Sequence, residues 1–326
     1  MRNKHVAVIG AGLAGAVLAN RLVQGGHRVT VFEKSRGSGG RLAASRMEQG
    51  SADLGAPWLE ATDDAHYCGW LSRLRDEGLL LEWQPRVCDF DGYPQRSQRV
   101  YLARPSMSGL TRVLLEGARL QTGTRVDTIW PEDEQLLLRD EKWQPIGTFD
   151  AVVVATPASQ AVPLLEVVPR FARRAAAVVS APCWVLLLAF SEPLTIDADL
   201  VVGEHPVLAR VIHDSAKPGR NTDDEHDIWA LHTRISWSAG MLEQPQDQVE
   251  RQIREAFLQQ FSISQLPVTS RLHCWLYGSH AVRPQPLLWD RHLAVGACGD
   301  WCQPDGLAGA WQSAERLADR MLAEWA

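Results

Sequence analysis

The chain has 326 residues, of which 45% are hydrophobic and 22% charged, and its formal net charge is −6. That length allows a large core, expected in two domains. The negative balance, with no basic run interleaved with aromatics, argues against nucleic acid and acidic membrane surfaces as partners.

The N-terminal segment does not read as a secretory signal, and no apolar run approaches the roughly 20 residues that span a bilayer. A cytoplasmic location without a membrane partner is therefore expected. The six cysteines are scattered, and Cys298 and Cys302 lack the two-residue gap of zinc or thioredoxin motifs. Reduced thiols and no metal site are expected.

In chain order, His5–Ile9 reads as a buried strand. Gly10-Ala11-Gly12-Leu13-Ala14-Gly15 is a G-x-G-x-x-G turn, a helix continues to Gln24, and Arg28–Glu33 is a second strand ending in an acid. Glu33 stands 18 residues beyond Gly15, close to the spacing at which an acid meets a ribose hydroxyl. Gly10 permits the tight turn, Gly12 lets backbone approach a pyrophosphate, and Gly15 allows the helix to pack on the sheet. The helix N-terminus offers its amides and a partial positive charge to the phosphates. The pattern predicts a bound dinucleotide, and with it redox chemistry.

A second glycine-rich loop follows, Lys34 to Arg41, carrying three cations. Helical spacing covers Ala65–Arg75, a strand Leu79–Trp83, and a further helix begins after Pro105-Ser106-Met107-Ser108-Gly109. Short strands are expected at Leu120–Gln121, Arg125–Ile129 and Gln135–Arg139. Phe149–Ala155 reads as one apolar strand of a parallel sheet, followed by Thr156-Pro157 and a helix from Gln160.

The middle of the chain changes texture. Trp184–Phe190, Val207–Ile212, Asp227–Thr233 and Arg271–Leu276 have the aromatic and β-branched content of strands. Gln248–Phe261 is an amphipathic helix, and Asp223-Asp224-Glu225 a solvated loop. Parallel-sheet texture returns at Leu293–Cys298, with a loop from Gly299 to Gly306 and a helix from Leu307 to about Leu322.

Gly10–Gly15, Glu33, Gly39-Gly40-Arg41, Asp53-Leu54-Gly55-Ala56, Val152–Pro157 and Gly299-Asp300 together resemble the FAD-dependent amine-oxidase-like superfamily. Pro105-Ser106-Met107-Ser108, Trp229-Ala230-Leu231-His232, Ser236-Trp237-Ser238 and Cys298-Gly299-Asp300-Trp301-Cys302 are most similar to the bacterial renalases within it. The resemblance implies an α/β fold in which a Rossmann-like FAD-binding domain of the amine-oxidase type carries an inserted mixed α+β substrate domain. The FAD-binding domain is expected over 1–60, 105–165 and 290–326, and the substrate domain over 61–104 and 166–289.

The cofactor is expected to be noncovalent FAD. Gly10, Gly12, Leu13, Ala14, Gly15 and Glu33 form the first part of its site, with Lys34, Arg36, Gly40, Arg41 and Leu42 from the second loop. Arg41 suits a pyrophosphate oxygen through its planar fork, or else a surface ion pair. Val126 meets adenine through its backbone by resemblance, or is a core valine. Gly55, Ala56, Pro57 and Trp58 pass close to the flavin, and Thr156, Gly299 and Asp300 follow buried strands. Gly306, Leu307, Ala308 and Ala310 place a helix N-terminus near the pyrimidine, where it stabilises the charge of reduced flavin. Renalase-like chains often carry an acid before this Gly-Ala pair. Ala308 stands there instead, so that acid has no role in this chain.

His232, Trp58 and Tyr277 are the candidate catalytic residues, with His280 and Arg283 at the rim. Trp184, Trp229, Trp237, Trp275 and Trp301 are an aromatic supply for stacking on a flat substrate. The resemblance implies oxidation of a small molecule, an isomeric 2- or 6-dihydro-NAD(P), to NAD(P)+, with hydride passing to flavin N5 and O2 reduced to H2O2. The alternatives are an amine or other oxidoreductase of the same fold, a noncatalytic flavin-binding protein, and an NAD-dependent dehydrogenase. Arg41 and Gly299-Asp300 argue against the last. The oligomeric state is not legible.

Overall fold

The computed structural model describes residues 3–220, 226–281 and 284–326. Asp223-Asp224-Glu225 and Arg283 lie outside these. The chain forms two compact units, Met1–Gly40 with Leu110–Ser180 and His280–Ala326, and Arg41–Gly109 with Ala181–Ser279. Among the described residues, no helix is long and apolar enough to cross a membrane.

The first unit is built on a six-stranded sheet, in the order Leu288–Asp290, Val295–Ala297, Ala151–Val154, His5–Ile9, Arg28–Phe32 and Arg119–Gln121. All neighbours run parallel except the first pair. Val6–Val8 and Ala151–Val154 are wholly buried, which explains their unbroken apolar runs. Ile9, Phe32, Val154 and Ala297 end in register at one edge of the sheet. Ligands of open α/β sheets bind at that carboxyl edge, and the glycine turn leaves from it. The helix Leu13–Gln24 is joined to the last helix, Leu307–Trp325, by Arg21, which pairs with Glu315 and with Asp319.

Phe149–Ala155, expected as one strand, is two. Phe149 closes Pro145–Phe149 in a three-stranded antiparallel sheet, while Ala151–Val154 enters the parallel one. Asp150 divides them, its carboxylate accepting from the His5 amide at 2.6 Å and its amide donating to the His5 carbonyl at 2.8 Å.

The second unit carries a six-stranded sheet in the order Thr269–Ala281, Val179–Phe190, Asp227–Thr233, Leu208–His213, Leu200–Val202 and Val87–Asp89. Strand alternation gives it two different faces. On one, Trp184, Leu186, Leu188, Trp229 and Leu231 pack with Val249, Ile253 and Phe257 of the helix Gln246–Gln260. On the other, Val185, Leu187, Ile228, Ala230 and Ile212 pack with Leu54, Trp58, Trp83 and Leu102.

Residues 41–60 and 105–109 group with this unit, and 166–180 and 280–289 with the first. These borders differ from those expected from the sequence, and a buried ion cluster accounts for much of the difference. Lys217 Nζ donates to Asp53 at 2.9 Å and to Asp214 at 2.5 Å. Arg220 Nη2 donates to Asp53 at 2.6 Å and Nη1 to the Ala103 carbonyl at 2.7 Å, while the Met107 amide donates to Asp53 at 3.0 Å. The side chains of Asp53, Asp214 and Lys217 are entirely out of water. The 53 and 103–107 segments are thus tied to the 214–220 loop.

Burial alone would raise the Asp53 carboxyl, but Lys217, Arg220 and the Met107 amide outweigh it and hold it below the usual carboxylate range. Asp214 moves the other way, because burial and the Asp53 charge outweigh Lys217. Arg220 hydrogen-bonds only the former, which explains the split.

Lys217→Met should therefore cost about 3–5 kcal/mol, the usual cost of removing one partner of a buried pair, read as a lower midpoint in urea unfolding. The Asp53 contribution has its own sign. Its folded value lies below its unfolded one, so the stabilisation is fully present above the unfolded value and is lost as pH falls through the folded one. Urea midpoints measured on acidification should fall through that window, and less steeply in Asp53→Asn.

Candidate functional site

In the first unit the strand His5–Ile9 delivers the chain into Gly10 at φ +110°, a conformation other residues rarely adopt. A Cβ on Gly15 would stand 2.0 Å from the Gly10 carbonyl oxygen, so only glycine lets the helix lie this close. The helix starts at Leu13 with no side-chain cap, leaving its first amides and the dipole for an anion. Leu13, Ala14 and Gly15 are buried beneath this turn, and Gly12 is half-exposed.

Glu33 is buried at the end of the neighbouring strand. Its two oxygens accept from the Ala11 amide at 3.0 Å and the Ser35 amide at 2.8 Å. Each keeps a further lone pair for a hydroxyl. Gly40 approaches the same turn, and a Cβ there would meet Gly12 Cα at 3.1 Å. Lys34 and Arg36 are exposed, and Lys34 donates to Gln160 at 3.2 Å. Val126 is a buried member of the core cluster.

The C-terminal pieces belong to the same unit. Thr156 follows the strand Ala151–Val154, and its buried hydroxyl has no partner among the described residues. Trp301 Nε1 donates to the Thr156 carbonyl at 2.9 Å. Gly299 is stitched to Ser313 by its amide and its carbonyl. Asp300 lies 3.5 Å from His280 Nε2, and His280 Nδ1 is 2.9 Å from the Ser180 hydroxyl. Gly306, at φ +56°, opens the last helix, again without a side-chain cap. Leu307 is half-buried, and Ala308 and Ala310 are buried behind it.

A glycine turn at a helix N-terminus, a second helix N-terminus also without a side-chain cap, a buried carboxylate and a buried hydroxyl with no partner among the described residues suit a dinucleotide with a polar chain attached.

The second unit holds the remaining candidates. Ala56 donates to the Arg41 carbonyl at 2.7 Å, and a Cβ on Gly55 would lie 1.9 Å from that oxygen. Arg41 Nη1 donates to the Tyr277 carbonyl at 3.1 Å. Leu42, Pro57 and Trp58 are buried, and Trp58 Nε1 donates to Glu60 at 2.7 Å.

His232 lies on the Trp58 face of the second sheet, opposite Val185 on one neighbouring strand and Arg210 on the other. Its Nε2 is buried without a partner among the described residues. Burial, with Arg210 and then Lys217, holds its imidazole well below its usual value, so it is neutral at pH 7. Cys183 shares this environment, and burial raises its thiol although Arg210 opposes the shift. Trp275 also belongs here, its Nε1 donating to the Leu54 carbonyl at 3.0 Å, and Tyr277 shares its face by strand alternation.

The other four tryptophans do not form an aromatic supply on this face. Trp184 and Trp229 are core on the opposite face, Trp237 packs beside them, and Trp301 is core of the first unit. Residue alternation along their strands sends Trp184 and Trp229 there, while Trp237 stands on the helix Ile235–Gly240 and Trp301 in a turn.

Sequence reasoning missed Lys217, Arg220 and Arg210. The first two precede an uninformative acidic run in the sequence. Arg210 had one signal, a cation inside an otherwise apolar strand.

Gly15→Ala should leave a purified protein with little of its yellow colour, and Glu33→Gln should weaken FAD binding by about tenfold to a hundredfold, as expected for losing a charged acceptor. Gly69→Ala, where nothing lies within 4 Å of the added Cβ, should keep full FAD content, measured by visible absorbance against protein.

Known proteins resemble the chain in both sequence and fold. Residues 8–74 match the NAD(P)-binding Rossmann-like domain and residues 86–322 the flavin containing amine oxidoreductase family. AofH of Mycobacterium tuberculosis, which carries the name of a flavin-containing monoamine oxidase, is 42% identical over 166 residues, 48% of this chain and 34% of its own. The flavin-dependent L-tryptophan oxidase RebO of Lentzea aerocolonigenes is 30% identical over 135 residues, 39% of this chain and 28% of its own. The chain thus spans about a third or less of the length of these curated relatives.

A solved structure carrying the name of a protoporphyrinogen oxidase, from Exiguobacterium sp. 255-15, superposes with a TM-score of 0.78 at 12% identity, covering 99% of this chain and 100% of its own. A putrescine oxidase variant gives 0.72 at 12%, with 99% of each chain covered. At such identities the likeness shows the fold, an α/β Rossmann-like FAD-binding fold of the amine-oxidase type. With the family match spanning most of its length, this chain belongs to the flavin-containing amine oxidoreductases, and its cofactor is FAD.

Proposed function

We propose that this flavoprotein is a renalase-like oxidase of isomeric dihydronicotinamide dinucleotides, 2- or 6-dihydro-NAD(P), releasing NAD(P)+. The observation that carries the reading is the environment of His232. It is apolar and aromatic, and the one charge beside the imidazole without an ion pair among the described residues, Arg210, is a cation, Lys217 being neutralised by Asp53 and Asp214. A protonated amine would be repelled there. A neutral, flat hydride donor with an anionic tail suits it.

FAD, when bound, supplies the hydride acceptor and returns the electron pair to O2 as H2O2. The protein's part is binding and orientation. Gly10–Gly15 with its helix N-terminus takes the pyrophosphate, and Glu33 the ribose. The N-terminus of the last helix, from Gly306 through Ala310, offers partial positive charge where the reduced ring becomes anionic. Trp58 and Trp275 provide ring surfaces for the donor. His232, held neutral, provides one ring nitrogen for a hydrogen bond and carries no charge that must be neutralised.

An amine oxidoreductase is the second reading, favoured by the segment shared with AofH. Anaerobic mixing of the holoprotein with 2- and 6-dihydro-NAD(P) should bleach the yellow flavin far faster than a panel of primary, secondary and polyamines. Bleaching by an amine alone would overturn the proposal.

A further inference from the structure

The geometry points to Arg210 as a specificity-determining residue that binds a phosphate or carboxylate on the substrate. The inference rests on the preceding reading that this sheet face receives the substrate.

Four observations place Arg210 in that role. It lies on an inner strand, Leu208–His213, paired on both sides, where a cation is out of place unless it has an acid to meet. Among the described residues it has no ion pair and no side-chain hydrogen bond, although the nearby Lys217 and Arg220 are fully matched by Asp53 and Asp214. Its guanidinium lies 6.0 Å from the centroid of the Trp58 ring, the geometry of a cation resting over an aromatic face. The strand pairing also shifts register between Leu208 and Arg210. Such bulges re-aim a side chain and occur near active sites.

Its surroundings strengthen the reading. Directly across the pairing is His232, whose buried Nε2 has no partner among the described residues. Arg210 also acts on Cys183, two residues from Val185 on the next strand. An unmatched, half-buried guanidinium beside a neutral imidazole and an indole is a site for one anionic group attached to a planar ring. The guanidinium fork takes two oxygens of a carboxylate or phosphate, the indole takes the ring, and the histidine can donate or accept one hydrogen bond. A substrate whose only charge is an ammonium would find no counter-ion in this group.

Calorimetric titration of the holoprotein tests this independently of turnover. Two probe pairs differ only in the anionic group: nicotinamide mononucleotide against nicotinamide riboside, and indole-3-propionate against indole-3-propionamide. In at least one pair the wild type should bind the anionic member more tightly by about tenfold to a hundredfold, the range of a charge-assisted bond.

Arg210→Met, which keeps an unbranched apolar stem, should abolish that preference and leave binding of the neutral indole-3-propionamide unaffected. Arg210→Lys should restore part of it, and FAD content and Tm should match the wild type in both variants. Equal binding of both members by the wild type, no binding of any probe, or a preference that survives Arg210→Met would overturn the assignment. If Arg210→Met lowers FAD content or Tm, Arg210→Lys decides: loss of preference in a stable Lys variant, with neutral binding also reduced, counts against it. Failure of dihydronicotinamides to reduce the flavin would overturn the reaction proposed above while leaving the anion preference to stand or fall on these titrations.

Discussion

The cluster of Asp53, Lys217, Asp214 and Arg220 is the interaction on which the second unit turns. Two acids and two cations are withdrawn from water together. Each would be costly alone, and the arrangement persists because every charge meets an opposite one at hydrogen-bond distance. Asp53 is separated from Lys217 by 164 positions, so the cluster closes a very long loop. From Asp53 the chain runs directly into Gly55 and Ala56, which are seated on the Arg41 carbonyl. The segment around Arg41 thereby inherits its position in part from this buried ion cluster.

The two units solve different problems. The first binds by backbone. Its glycine turn and its side-chain-uncapped helix ends present amides and carbonyls, which suit the invariant phosphates and hydroxyls of a dinucleotide whatever the reaction. In the second the candidate residues act through their side chains. One face of its sheet is filled against the helix Gln246–Gln260, and the other bears Trp58, Trp275, His232, Cys183 and Arg210.

Much of the first unit was legible before any coordinates. Gly10 to Gly15, Glu33 and the apolar runs of the parallel strands carry local signals, because φ > 0, close backbone approach and continuous burial each restrict which residue can stand at one position. Boundaries were less legible. The Phe149–Ala155 run looked uniform, and only the pairing of Asp150 with His5 breaks it. The tryptophans misled for a related reason. Trp184 and Trp275 have the same composition signal, yet strand alternation sends one into the core and the other to the Trp58 face.

The sequence by itself pointed to a dinucleotide at the end of the first strand and to a Rossmann-like sheet completed by the C-terminal helix, both from short motifs whose physics is local, while FAD was implied by the resemblance that those motifs carry. Only the tertiary structure decided that residues 41–60 join the second unit, that His232 is held neutral by burial, and that Arg210 stands beside it with no ion pair among the described residues. Each depends on which distant charges are brought into contact and which are left alone, and that is fixed by strand register and burial across more than a hundred residues.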